Sequence, residues 1–115
     1  MFTELTIGGE TYKLRLTTRT SIQLEKALGF NPIDILIGVE NGKMPKLSDC
    51  LIMLQYMLLD MHHGFNADKT MELYDRFIAD GHNMFELLPA FTEVLEKCGY
   101  LTTDDGSKTG EDVKN

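Results

Sequence analysis

Few residues in this chain could do chemistry. The histidines are His62, His63 and His82, with Asp60 beside the first two. A metal site would have to draw on these four. Adjacent histidines point to different sides of a helix, and the chain has neither a His-x-x-x-His nor a Cys-x-x-Cys pair. Capping and surface positions account for them better, so no metal and no cofactor is expected. The thiols are Cys50 and Cys98, 48 residues apart by number and each among apolar neighbours. Such surroundings disfavour the thiolate that a nucleophile needs, and two reduced core thiols are the expectation. The carboxylates are scattered over outward helix positions, with no pair placed for acid–base work. Gly8-Gly9 precedes no helix, so it is a turn and not a phosphate loop. These absences point away from an enzyme.

The elements that would carry these residues centre on Leu47–His63. Eleven of its 17 residues are apolar. Leu47, Leu51, Leu54, Leu58 and Met61 recur at helical steps, and Ile52, Tyr56 and Leu59 make a second stripe. A helix that is apolar nearly all round needs cover on most sides. Ser48 is its expected N-cap, Leu47 and Ile52 its staple, and Gly64 its stop. Its longest apolar run is five residues, far short of the roughly 20 that span a membrane.

Ahead of it, Phe2–Ile7 and Thr11–Thr17 alternate apolar with polar residues around Gly8-Gly9-Glu10, which predicts an antiparallel hairpin. A lone hairpin is marginal, so it must lean on helices or on strands of another copy. Thr20 is expected to open the next helix through a capping box with Gln23, with Ile22, Leu24, Ala27 and Leu28 inward. Asn31-Pro32 starts a short apolar helix up to about Glu40. After the central helix, Ala67–Ala79 is expected to bury Met71, Tyr74 and Ile78 beside Leu73 and Phe77. Asn83 and Glu86 resemble a capping box. Pro89 either begins a new helix after a separate turn at Met84–Leu88 or kinks a continuous one. Phe91, Val94, Leu95 and Cys98 face inward, and Tyr100 and Leu101 fold back on the core.

The reading is therefore an α+β chain, mostly α. A hairpin at 2–17 leads into about five helices at 18–101, together one domain. Thr102–Asn115 has one large apolar residue, Val113, and cannot offset its ordering entropy, so a disordered tail is expected. Met1–Gly9 has neither a basic start nor an apolar run, so no signal peptide is expected.

The net charge of −7 is wrong for a phosphate-backbone binder. Ser21–Leu36 does have the helix–Gly–helix outline of a DNA-binding motif. Its reading helix would present Asp34 and Glu40 and no Arg, Lys or Gln. A small DNA-associated regulator of a mobile element is thus the alternative, and no nucleic acid is expected. What remains is protein binding. Seven methionines in 115 residues is many, and methionine suits surfaces that repack. Met53, Met57 and Met61 read first as core. With Ile33, Leu36 and Ile37 they are also the candidate contact residues.

The stretch Leu5–Leu36 carries Ile7-Gly8-Gly9, Tyr12-Lys13-Leu14-Arg15-Leu16 and Leu24-Glu25-Lys26-x-Leu28-Gly29-x-Asn31-Pro32. Followed by an apolar helix, it resembles the tail assembly chaperones of long-tailed phages and prophages of Gram-positive bacteria. The resemblance spans roughly Leu5–Leu101 and is strongest at the start. It implies a non-catalytic protein that binds the tape-measure protein and tail-tube subunits during tail building. It implies the host cytoplasm, absence from the finished virion, and in many members a longer form made by ribosomal frameshifting. A homo-oligomer is expected, because many copies must coat one long client.

Overall fold

Two glycines in the left-handed region start the architecture. Gly8 and Gly9 have φ of 61° and 81°, which suits the two-residue turn whose twist matches the flanking strands. They join β1 (Thr3–Ile7) to β2 (Glu10–Leu14), paired antiparallel from Thr3 opposite Leu14 to Ile7 opposite Glu10. The computed structural model describes residues 1–101, and the expected disordered tail at 102–115 lies outside them. Five helices follow: α1 (Thr18–Leu28), α2 (Ile33–Glu40), α3 (Leu47–Leu59), α4 (Ala67–Ala79) and α5 (Leu88–Lys97). The α+β, mostly α architecture is as expected, with the hairpin first.

The hairpin leans on helices. Ile7, Leu14 and Leu16 enter the core, while Glu4, Thr6, Thr11 and Lys13 face water. The chain at β2 gives its outward N–H groups to the end of α3 and the turn after it. Lys13 N–H donates to Nε2 of His62 at 3.0 Å, and Arg15 N–H to the Met57 carbonyl at 2.9 Å. The turn is fixed to α4 by a bond from Gly8 N–H to Asp80 Oδ2 at 2.8 Å, and Arg76 donates to the Tyr12 hydroxyl at 2.9 Å.

Helix α1 begins earlier than expected. Thr17, not Thr20, is the cap: its hydroxyl accepts from Thr20 N–H at 3.3 Å, and Thr20 Oγ1 accepts from Thr17 N–H at 2.8 Å. Thr17 is the extended residue that ends the hairpin arm, so the reciprocal pair forms there. The earlier start leaves Leu24 buried and Ile22 and Ala27 exposed, which corrects the expected inward set. Before α2, the Asn31 side chain accepts from Ile33 N–H at 3.0 Å, with Pro32 already in helical geometry.

Helix α3 sits between α1 and α4 and also touches α5 and β2. It too departs from expectation at its ends. Lys46 is extended and helical geometry starts at Leu47, so Ser48 lies inside the first turn and makes no cap bond. The helix stops at Leu59, and His62 and His63 fall in the turn beyond. Cys50, Met53, Leu54, Met57 and Leu58 are its buried stripe, and Leu47 is exposed.

Asn66 caps α4, accepting from Lys69 N–H at 2.9 Å. Thr70, Leu73 and Phe77 are its buried residues, with Tyr74 half-buried and Met71 and Ile78 exposed. Helix α4 packs against both α3 and β1, and the stripe it buries there is one helical position round from the expected face. The capping box at Asn83 and Glu86 is present and opens a 3₁₀ turn, Met84–Leu87. Pro89 then falls in the first turn of α5, which settles the two alternatives in favour of a separate turn. Phe91, Val94 and Leu95 are buried, Cys98 is half-buried, and Tyr100 and Leu101 pack back on the core.

Candidate protein-binding site

The polar residues that could have formed a reactive centre are held apart by structural work. His62 is an acceptor for the β2 backbone, and its ring lies edge-on to Tyr12 with centroids 5.5 Å apart. His63 is exposed. His82 stacks on Phe77 at 4.8 Å, and its Nδ1 lies 2.7 Å from Glu86 Oε1. Asp60 pairs with Arg15. Among the described residues no group of three or more His, Cys, Asp or Glu side chains could hold a metal ion.

The thiols are shielded. Cys50 has no exposed surface, and burial, aided by the nearby Asp49 charge, pushes its pKa up to about 11. Burial also raises Cys98, against weaker lowering by the Ser21 hydroxyl and backbone groups. Tyr100 donates to Glu25 Oε2 at 2.5 Å, and burial followed by the Glu25 hydrogen bond and charge raises its phenol. That bond fixes the chain after α5 to α1.

The candidate contact residues separate into two groups. Ile33, Leu36 and Ile37 lie together on one side of α2. With Val39 and Glu40 they line a groove of about 220 Å³ whose other wall is Leu88, Thr92 and Leu101. Ile37 is 46% exposed, and Leu36 is half-buried. Met53 and Met57 are elsewhere: both are fully buried in the stripe of α3 that meets the core. They have no surface to offer in this fold, so the contact role proposed for them is corrected to packing. Met61 is half-buried in the turn after α3 and is not among the residues that line the α2 groove.

Sequence reasoning did not pick out the far wall of that groove. Leu88 begins α5 only because the 3₁₀ turn precedes it, and Leu101 reaches the groove only because Tyr100 N–H bonds back to the Leu95 carbonyl at 2.9 Å. The fold-back expected of Tyr100 and Leu101 was the available signal. A second concavity of about 340 Å³ lies between α2 and the start of α3. Phe30, Ile35 and Met44 line it with Lys43, Lys46, Asp34 and Asp49. Two charges of each sign there, Asp49 half-buried and the others exposed, cancel and leave little net charge to select a charged ligand.

Segment 21–36 does form helix, turn and helix start, with Gly29 at φ 83° ending α1. On α2, Asp34 and Glu40 are exposed and no basic residue is present. No helix among the described residues is long and apolar enough to cross a membrane.

Compared with family models, the chain matches one over residues 3–114. It belongs to DUF6096, a family of unknown function. The DUF6096 match takes in the hairpin, all five helices and nearly all of the polar C-terminal segment. No curated protein and no solved structure matches the chain.

Proposed function

We propose that this DUF6096 protein is a non-catalytic tail assembly chaperone that binds the tape-measure protein, and tail-tube subunits, while a phage tail is built. The observation that carries the reading is the open apolar groove between α2 and α5, with Ile33, Leu36 and Ile37 on one wall and Leu88 and Leu101 on the other. Helix-in-groove recognition needs such a trough, fed by apolar side chains at helical spacing on the client. A tape-measure protein is long and helical and presents apolar stripes before the tube encloses it. The resemblance of Leu5–Leu36 to such chaperones supplies the biological setting: action in the host cytoplasm and absence from the finished virion. The acidic surface keeps a carrier of apolar client in solution.

The test is co-expression with the tape-measure protein encoded nearby, followed by affinity purification. The expected result is a soluble tape-measure protein that co-elutes. Ile37→Asp, at an exposed position, is expected to weaken co-elution at least tenfold while the helical signal and melting temperature stay unchanged. A tape-measure protein that stays insoluble, with nothing co-eluting, would sink the reading. Salt-sensitive binding to duplex DNA at low salt would instead favour a regulator built on segment 21–36.

A further inference from the structure

Helix α3 is apolar nearly all round, and the fold covers only part of it. Its inner stripe is sealed, while Leu51, Ile52, Gln55, Tyr56 and Leu59 on the opposite arc are half-buried. Helices α1 and α4 each pack against α3 and make little or no contact with each other, the pattern of two helices flanking a third. On the α1 side, Gln23, Lys26 and Ala27 line an open groove of about 480 Å³ with Tyr56 and Leu59. On the α4 side, Met71 and Ile78 are exposed and Tyr74 half-exposed, one helical step round from the buried stripe of Thr70, Leu73 and Phe77.

The two rims of this face differ in sign. Beyond the apolar strip α1 presents Arg19 and Lys26, and α4 presents Asp68 and Asp75, all exposed; Glu72 instead lines the groove on the hairpin side of α4 with Lys69 and Arg76. None of these four rim residues belongs to an ion pair among the described residues, where the pairs are Arg15–Asp60, Arg76–Glu10, His82–Glu86 and Lys97–Glu93. The face is thus an apolar band with a positive edge and a negative edge.

We infer that this face seats the same face of a second copy of the chain, about a two-fold axis running parallel to α3. Such an axis sets α1 of each copy opposite α4 of the other. Positive rim then meets negative rim on both sides, and the two apolar bands close on each other. A two-fold axis across the helices would lay α4 on α4 and oppose its acidic residues. A partner of uniform charge would satisfy one rim and be repelled by the other. The face is modest. Helices of this length run about 20 Å, and three axes spaced 8–10 Å apart give on the order of 400 Å² per copy. That is roughly half a standard interface, so the dimer is weak, forms in the micromolar range or above, and loosens with salt. This surface is separate from the α2–α5 groove, and the inference does not rest on the chaperone reading.

Sedimentation velocity of the full chain, over a concentration series from micromolar to millimolar and at two salt concentrations, is the first measurement. The expected result is a monomer–dimer equilibrium that shifts toward monomer at high salt. Two charge-reversed variants then decide the geometry: Arg19→Glu/Lys26→Glu, and Asp68→Lys/Asp75→Lys. Each alone is expected to lose dimer at least tenfold, because like-charged rims now face each other. Mixed in equal amounts they are expected to form a heterodimer at wild-type strength, since each reversed rim meets its opposite. Circular dichroism melts show whether each variant is folded, and recovery on mixing cannot come from an unfolded chain. A wild-type chain that stays monomeric throughout, a dimer indifferent to both reversals, or variants that do not recover on mixing would each overturn the inference.

Discussion

The two faces of α3 are made of the same kinds of residue and have different surroundings. Cys50, Met53, Leu54, Met57 and Leu58 face the core and have no exposed surface. Leu51, Ile52, Tyr56 and Leu59 are also apolar, yet they stop at half burial. Composition does not separate the two sets. What separates them is depth: the first set has no exposed surface, while the second keeps part of its surface in solvent, with Ile52 and Tyr56 reaching the edge of the core. An inner apolar residue is wholly a packing element, whereas an outer one keeps part of its surface for a further contact.

Stability measurements test that contrast most directly. Leu54→Ala or Met57→Ala is expected to cost about 2–5 kcal/mol, the range for emptying a closed site that relaxes only in part. Ile52→Ala removes about as many carbons from the outer face, where solvent fills the gap. It is expected to cost about 1 kcal/mol or less. The denaturant midpoints of the three variants, at unchanged slope, give the comparison. Equal losses would mean that the outer face is as tightly packed as the inner one.

The inner face also carries a chemical mark. Cys50 belongs to it, and its pKa of about 11 against an ordinary 9.0 leaves about a hundredfold less thiolate at neutral pH. An aromatic disulfide reagent is expected to modify half-buried Cys98 first and Cys50 at least a hundredfold more slowly, with Cys50 reacting promptly once the chain unfolds. The same shift sets the sign of a pH effect. The folded state favours the neutral thiol, so its contribution is full below pH 9. It is lost as pH rises from 9 toward about 11, because the unfolded chain releases that proton earlier. Mass spectrometry of the modified cysteines, timed in native buffer, reads the first effect. Rapid labelling of Cys50 would mean that α3 opens readily.

Much of this arrangement can be read from the residues. Period-2 alternation around Gly8-Gly9 places the hairpin, and the Asn83–Glu86 box and Pro89 place the break before α5. The central role of α3 follows from its apolar surplus. Which way each helix turns was harder, because an apolar residue at helical spacing fits either of two adjacent stripes. In α4, Met71, Tyr74 and Ile78 compete with Thr70, Leu73 and Phe77, and only the position of the hairpin beside α3 decides. The candidate site divides in the same way. Ile33, Leu36 and Ile37 form a groove because α2 is short and one side of it faces out. Met53 and Met57 looked alike in sequence, but they lie on the covered side of α3.

Helix starts give the smallest effect and the finest distinction. Two hydroxyls, Thr17 and Ser48, stand near helix starts; the sequence marks Ser48 as the cap of α3 and puts the cap of α1 at Thr20 rather than Thr17. In the fold only Thr17 caps. Its extended backbone, φ −95° and ψ 175°, lets the hydroxyl reach back over the first turn, and Thr20 answers with a bond to the Thr17 N–H. Ser48 already has the geometry of a helical residue, so its hydroxyl can no longer cap from outside the turn. Thr17→Ala is therefore expected to cost about 1 kcal/mol, the usual value of a lost N-cap, while Ser48→Ala costs close to nothing. Thr17 also joins β2 to α1, so its loss is expected to loosen amide protection in the first turn of α1 before the rest of the helix. Hydrogen exchange on the two variants tests both points. A penalty at Ser48 equal to that at Thr17 would mean that α3 begins two residues later, at Asp49, with Leu47 outside the helix as a staple against Ile52. That residue would then be lost from the exposed apolar edge at the start of α3.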